Sequence, residues 1–217
     1  MKIHCLHLDN AKDPSDIFQL PDAEIKHAKS LRIREGEIIR FTSFAGWFGK
    51  GIFLGDKIKI QESELNSISR KVFIGISDRG SQKNCVESAI ALGYGQIIFV
   101  KSKYSDDHRV NIEKLYLNAK AAQKQSFFCG IVNIQCVEFS QIPYQLIAVF
   151  DPSGENILNS SSDLLQTWPF IGPPGGFSDE EIAKFTIKLS LPSNILKTEL
   201  AIVLGCGLFN LLKTKKN

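Results

Sequence analysis

The sequence is short of the patterns that announce metal, redox or nucleotide chemistry. Its five cysteines, Cys5, Cys85, Cys129, Cys136 and Cys206, are odd in number and form no C-x-x-C pair. A disulfide framework and a zinc site are both disfavoured. The four histidines, His4, His7, His27 and His108, supply no H-x-x-x-H and no catalytic pair, so no bound metal is expected; His4 and His7 are assigned to an edge strand. Neither G-x-G-x-x-G nor a Walker loop occurs, and the usual dinucleotide and nucleoside-triphosphate folds lose support. Nothing at the N-terminus resembles a signal peptide, and the longest apolar stretch, Ala201 to Leu212, is too short to span a bilayer. Internal repeats and low-complexity segments are missing too. These absences predict a reduced, cytoplasmic protein with no membrane partner.

What is present is an ordinary globular composition. The 217 residues are 43% hydrophobic and 23% charged, which excludes disorder and collagen-like structure. At roughly 150 residues per domain the length fits one or two domains. The net charge of +3 is too mild to announce nucleic acid, but from Lys184 onward there are six lysines against one acid, Glu199. Such a basic C-terminal surface would attract phosphates.

The rhythm of the chain changes near its first third. Lys2 to Leu8, Glu37 to Ser43, Trp47 to Leu54 and Lys57 to Gln61 read as short strands, with a helical piece around Asp22 to Leu31. Their Gly, Asp and Ser breaks are spaced like the turns of a small barrel. Residues 1–66 are therefore expected to form a β module and 67–217 a second domain, with the boundary in the aperiodic stretch Glu62 to Ser69. Beyond it, strand patterns at Lys71 to Ile76, Gln96 to Val100, Val132 to Val137, Gln145 to Phe150, Trp168 to Ile171 and Ile187 to Leu191 alternate with helical ones. The helical patterns are Lys83 to Leu92, stopped by Gly93, and a segment capped by Asn111. Alternation of this kind implies a largely parallel sheet with helices on both faces.

In such sheets ligands bind beyond the carboxyl ends of the strands, so the loops there carry the chemical interest. One is Ile171-Gly172-Pro173-Pro174-Gly175-Gly176-Phe177-Ser178-Asp179-Glu180-Glu181. Its glycines permit close approach of a ligand, and Ser178 with Glu181 forms a capping box that starts a helix. A plain strand-to-helix turn is an equal reading of the same residues. The second is Leu191-Pro192-Ser193-Asn194-Ile195-Leu196-Lys197-Thr198-Glu199-Leu200-Ala201, where Thr198 would cap the last helix and Glu199 would favour its dipole. The third, Ala119 to Ser126, is a helix end carrying Lys124 and Gln125.

Together and in this order the segments resemble the bacterial 16S ribosomal RNA uridine-N3 methyltransferase family of the SPOUT class. That family's patterns are Glu-Gln-Ser/Cys-x-Arg, Gly-Pro-Glu-Gly-Gly-Phe and Leu-Gly-x-x-Ile-Leu-Arg-Thr-Glu-Thr-Ala. Here they read Lys124-Gln125-Ser126-Phe127-Phe128, Gly172 to Phe177, and Leu191 to Ala201. His27, Leu31, Arg32 and Gly36 are spaced like the family's H-x-x-x-L-R-x-x-x-G opening, so the likeness spans almost the whole chain.

The resemblance implies an α/β fold class: an N-terminal PUA-like β-barrel for RNA, followed by a SPOUT α/β domain whose C-terminal segment passes through a trefoil knot. It implies S-adenosylmethionine as cofactor, held by Phe150, Ile171, Gly172, Gly175, Gly176, Leu191, Pro192, Ile195, Leu196 and Thr198. Glu199 would orient the substrate or accept its proton, and Lys197 would lie near the uracil or phosphate. Arg32, Lys124 and Gln125 would meet RNA. The implied partners are 16S ribosomal RNA or the small ribosomal subunit, and a second copy of the chain in a homodimer. Departures from the pattern include Pro174, Lys124, Phe128, Lys197 and Leu200, where the family has Glu, Glu, Arg, Arg and Thr. The family's Glu-Arg-Ser element is not found around Lys103 to Arg109. These changes lie more on RNA-facing than on cofactor-facing positions, and they leave a non-catalytic or retargeted RNA-binding relative as the alternative.

Overall fold

The computed structural model describes residues 4–8, 16–105, 109–160 and 164–215. Lys2 and Ile3 of the first expected strand, and Asp106, Asp107 and His108, lie outside them. The chain divides into two compact units: Met1–Ser69 with Ala119–Asn133, and Arg70–Asn118 with Ile134–Asn217.

The first unit is built on β1 (Cys5–His7), β2 (Ile17–Gln19), α1 (Asp22–Ser30), β3 (Ile38–Thr42), β4 (Trp47–Phe53) and β5 (Lys57–Leu65). The strands form one sheet in the order β1-β3-β4-β5-β2, with β1 parallel to β3 and the other pairs antiparallel. Its core holds Leu6, Leu8, Leu20, Ile39, Phe41, Phe53 and Ile58, closed by Ala28 of α1. Helix α1 follows Pro21, with Asp22 and Glu24 in its first turn and His27 and Lys29 in its last, an arrangement its dipole favours.

A buried polar network joins this sheet to the helix end contributed by Ala119–Asn133. Glu24 accepts the His7 backbone N–H at 3.0 Å and pairs with Lys124 at 2.9 Å and Lys120 at 3.4 Å. Gln123 donates from Nε2 to the Ser43 carbonyl, which leaves its Oε1, at 3.0 Å, to accept from His7 Nε2. Burial alone would raise the Glu24 pKa; the Lys124 hydrogen bond, the His7 N–H and the two lysine charges outweigh it and hold the carboxyl below its ordinary value. A buried charge with this many partners is satisfied.

The second unit contains β6 (Arg70–Gly75), α2 (Arg79–Ala91), β7 (Tyr94–Lys101), β8 (Asn133–Glu138), β9 (Ile147–Asn156), β10 (Trp168–Ile171), α4 (Asp179–Ile182), β11 (Ile187–Ser190) and α5 (Thr198–Lys215). Helix α3 (Ile112–Ser126) has its first half here and its second in the other unit. The sheet order is β11-β9-β10-β6-β7-β8, and the pairs β11–β9, β9–β10, β10–β6 and β6–β7 are parallel. An aromatic core of Phe73, Phe139, Phe170 and Phe185 lies with Ile147 and Val149. Helix α5 buries Ile202, Cys206 and Phe209 at helical spacing and packs against α2 and β10. All five cysteines are unpaired, and among the described residues no helix is long and apolar enough to cross a membrane.

Three local expectations change. Helix α2 starts at Arg79, not Lys83, because the Asp78 carboxylate accepts the N–H groups of Gly80 and Ser81 at 2.8 and 3.1 Å, a cap that outweighs the glycine. Strand β5 continues to Leu65 by pairing with Trp47–Lys50 across a bulge, so residues 62–65 are strand. The three-residue β2 was not anticipated: it is too short to show alternation and exists by its pairing with β5.

Candidate functional site

The C-terminal ends of three neighbouring strands, β11, β9 and β10, meet around one cavity of about 390 Å³. This is where a parallel sheet places a ligand, and the size suits a small molecule. Its walls are the β10 loop Ile171 to Phe177, the β11 loop residues Ser190, Leu191 and Ser193 to Leu196, and the start of α5 at Thr198 and Ala201. The third wall comes from β9. That strand pairs with β11 at Val149 and again at Glu155, while β11 advances only from Lys188 to Leu189. Residues 150–154 are therefore thrown out as a bulge, which brings Phe150, Asp151 and Pro152 to the cavity.

Of the residues that the resemblance assigns to a cofactor, all but Pro192 line this cavity. Asp151, Pro152, Pro173, Pro174, Phe177, Ser190, Ser193, Asn194 and Ala201 are further lining residues that the resemblance did not assign to the cofactor. Most follow from adjacency to the named ones. Asp151 is adjacent to Phe150, but it is the bulge that brings it to the cavity. Among the described residues it is the one charged side chain in the lining. One of its oxygens accepts from the Ser153 N–H at 2.9 Å and the Ser153 hydroxyl at 2.6 Å.

The glycines of the β10 loop divide the work. A Cβ on Gly172 would meet the Phe177 ring at 2.8 Å, and one on Gly175 would meet Tyr104 at 2.9 Å; both therefore serve packing of the loop. Gly176 has φ +70 and its Cβ position faces open space, so this is the glycine that leaves room beside the cavity. Gly75, at the end of β6, lets Pro173 approach so closely that any Cβ would overlap its nitrogen.

Side-chain oxygens fix the loops. Ser178 and Glu181 form the expected capping box at α4, and Glu181 also accepts the Lys103 N–H at 2.8 Å. Thr198, expected as the cap of α5, is instead its first helical residue, and its hydroxyl donates to the Gly172 carbonyl at 3.2 Å. One hydrogen bond thus joins the two loops that form the cavity.

Glu199 lies one residue beyond Thr198 but does not line the cavity; its carboxylate accepts the Ser81 hydroxyl at 2.7 Å. Lys197 is exposed just before α5 and is also outside the lining. In the first unit, Arg32 and Gln125 are exposed, whereas Lys124 is held by Glu24.

Residues 64–210 match the family model described as RNA methyltransferase domain. The chain belongs to this RNA methyltransferase family. No curated protein matches its sequence. Among solved structures, ribosomal RNA small subunit methyltransferase E from Neisseria gonorrhoeae, bound to S-adenosyl methionine, superposes with a TM-score of 0.79 at 16% identity over 97% of this chain and 98% of its own. A methyltransferase candidate from Legionella pneumophila, solved with bound cofactor SAM, gives 0.79 at 17% over 98% of each chain. An rRNA-methyltransferase candidate from Porphyromonas gingivalis gives 0.79 at 20% over 99% and 100%. For an RNA methyltransferase of this family, the shared fold spans both units and not the matched domain alone.

Proposed function

We propose that the chain methylates N3 of a uridine in 16S ribosomal RNA of the small subunit, using S-adenosylmethionine, as a cytoplasmic homodimer. Residues 1–66 serve as the PUA-like RNA-binding barrel, and 67–217 as the SPOUT domain with its knotted C-terminal segment. The observation that carries this reading is the convergence of the β10 and β11 loops, joined by the Thr198–Gly172 bond, on a cavity lined by nine of the ten residues the resemblance assigns to the cofactor.

The cavity fits the cofactor on its own chemistry. Ile171, Leu191 and Leu196 offer apolar surface for an adenine, and the loop backbone between them offers donors and acceptors for its edge. Gly176 leaves space where any side chain would intrude. Asp151 supplies a carboxylate suited to ribose hydroxyls or an ammonium group. What S-adenosylmethionine brings when bound is a transferable methyl group on a sulfonium centre.

The protein's part is to align the base and to manage the imide proton of N3. Glu199, one residue past the cavity wall, orients the uracil or accepts that proton, with the Ser81 hydroxyl fixing its carboxylate. Exposed Lys197 lies near the base or its phosphate and favours the charge developing on the uracil oxygens.

The homodimer is supported by α5, which exposes Leu200, Val203 and Leu211 on one stripe, with Gly207 between them adding no side chain. Val203→Glu is expected to yield monomers in sedimentation, with a melting temperature that no longer rises with protein concentration. The committed ion pair of Lys124 favours the second reading, an RNA-binding scaffold without turnover, because that cation is not free to meet phosphate. Labelled methyl transfer to small ribosomal subunits, and mass spectrometry of ribosomal nucleosides with and without the gene, test the two. Loss of 3-methyluridine alone supports the enzyme; transfer to no RNA supports the scaffold.

A further inference from the structure

Helices α1 and α3 both end in the first unit, and both end in the same unusual way. After α1, Arg32 has φ 58 and Ile33 donates its N–H to the Ala28 carbonyl at 3.1 Å. After α3, Phe127 has φ 54 and Phe128 donates to the Gln123 carbonyl at 3.2 Å. This is the Schellman ending, whose left-handed residue is ordinarily glycine. A bulky aromatic there is a true outlier. Its backbone work would be done better by glycine, so the reason for a phenylalanine lies in its ring.

The Phe127 ring is not buried to compensate. It remains 39% exposed, and the Arg40 guanidinium lies 4.9 Å from its centroid. Together they wall a second cavity of about 300 Å³, whose other sides include Phe48, Lys50, Glu62 and Glu64. Lys50 and Glu62 pair at 3.0 Å across its rim. The charges offset one another, so the cavity suits a planar neutral group with polar edges better than a free phosphate. Two carboxylates can accept from exocyclic amines or imide N–H groups, the guanidinium can reach a carbonyl or a flanking phosphate, and the aromatic ring gives a stacking face.

We infer that this cavity is a stacking subsite for an unpaired RNA base, with the Phe127 ring as platform and the Arg40 guanidinium, which backs that ring, reaching the base edge or its phosphate. The inference rests on the reading of the chain as an RNA methyltransferase and adds a binding site to it, on the first unit. Paired bases cannot enter, because both faces of a stacked pair are already covered.

Phe127→Gly separates the ring from the backbone. It relieves the left-handed residue while removing the platform, so the full-length variant should melt no lower than wild type. Its affinity for a short fluorescein-labelled oligouridylate, read by anisotropy, should fall roughly tenfold. Phe127→Trp should retain that affinity, and neither change should alter binding of a fully paired RNA duplex or calorimetric binding of S-adenosylmethionine. Unchanged oligouridylate affinity in Phe127→Gly overturns the inference, as does an equal loss on the duplex. A lower melting temperature would make Phe127 a packing residue and overturn it as well. Should wild type bind neither RNA while still binding S-adenosylmethionine, the subsite and the RNA reading of the first unit fail together; an oligouridylate response lost only in the variant supports both.

Discussion

The two units reach their candidate sites by opposite means. In the second, loops that follow parallel strands make a cavity largely from main chain, proline and glycine, with Asp151 the single charged side chain among the described residues of its lining. In the first, the surface around Arg40 and Phe127 and the buried network around Glu24 are made almost entirely of side chains. Main-chain sites tolerate changes of side chain except where a Cβ would intrude, whereas a side-chain site can be rewritten one residue at a time. The glycine loop keeps its glycines despite Pro174, while Lys124 and Phe128 in the first unit replace a family Glu and Arg.

The contrast can be broken most forcefully at Gly75. Gly75→Ala drives a Cβ into the Pro173 nitrogen, and the backbone of two elements must move; a loss of about 3 kcal/mol is expected, with denaturant unfolding as the check. If stability is unchanged, the close approach of β6 and the glycine loop is not a constraint. A side-chain counterpart is Glu24→Gln, which leaves Lys124 and Lys120 facing a neutral amide and should cost about 3 kcal/mol. Because the folded carboxyl is held below its ordinary value of 4.5, its stabilisation is complete above that value and is lost as pH falls through the lower folded one. Wild type should therefore show an acid limb that Glu24→Gln lacks, measurable as melting temperature against pH.

Smaller effects sharpen the difference within the cavity itself. Gly176→Val places a β-branched residue at φ +70 and a side chain where the ligand would lie. It should weaken S-adenosylmethionine binding roughly a hundredfold by calorimetry, combining backbone strain and lost space, while the fold persists. Asp151→Asn keeps the shape and removes the charge, and a roughly tenfold loss of affinity is expected. An Asp151→Asn effect larger than that of Gly176→Val would reverse the claim that the main chain dominates this site.

Much of this was legible in the residues. The apolar strand patterns, the Ser178–Glu181 capping box and the two glycine- and proline-bearing loops can be read locally, since periodicity and capping depend on neighbours a few positions away. The bulge at residues 150–154 could not be read, because it is a mismatch of register between β9 and β11 and exists only when both are paired. Nor could the fate of Thr198, whose hydroxyl reaches the carbonyl of Gly172 in another loop where local propensity favoured capping. Lys124 looked like a cation available to RNA until Glu24, a hundred positions earlier in the chain, was found beside it.

By itself the sequence determined which of the longer segments become strands and helices, where glycine and proline interrupt them, and the family to which the chain belongs. These follow from local sterics and hydrophobic period. Only the tertiary structure decided which glycine opens toward the cavity, which carboxylate faces it, and which lysine is already spoken for, because each depends on atoms that long-range strand pairing and helix packing bring into contact.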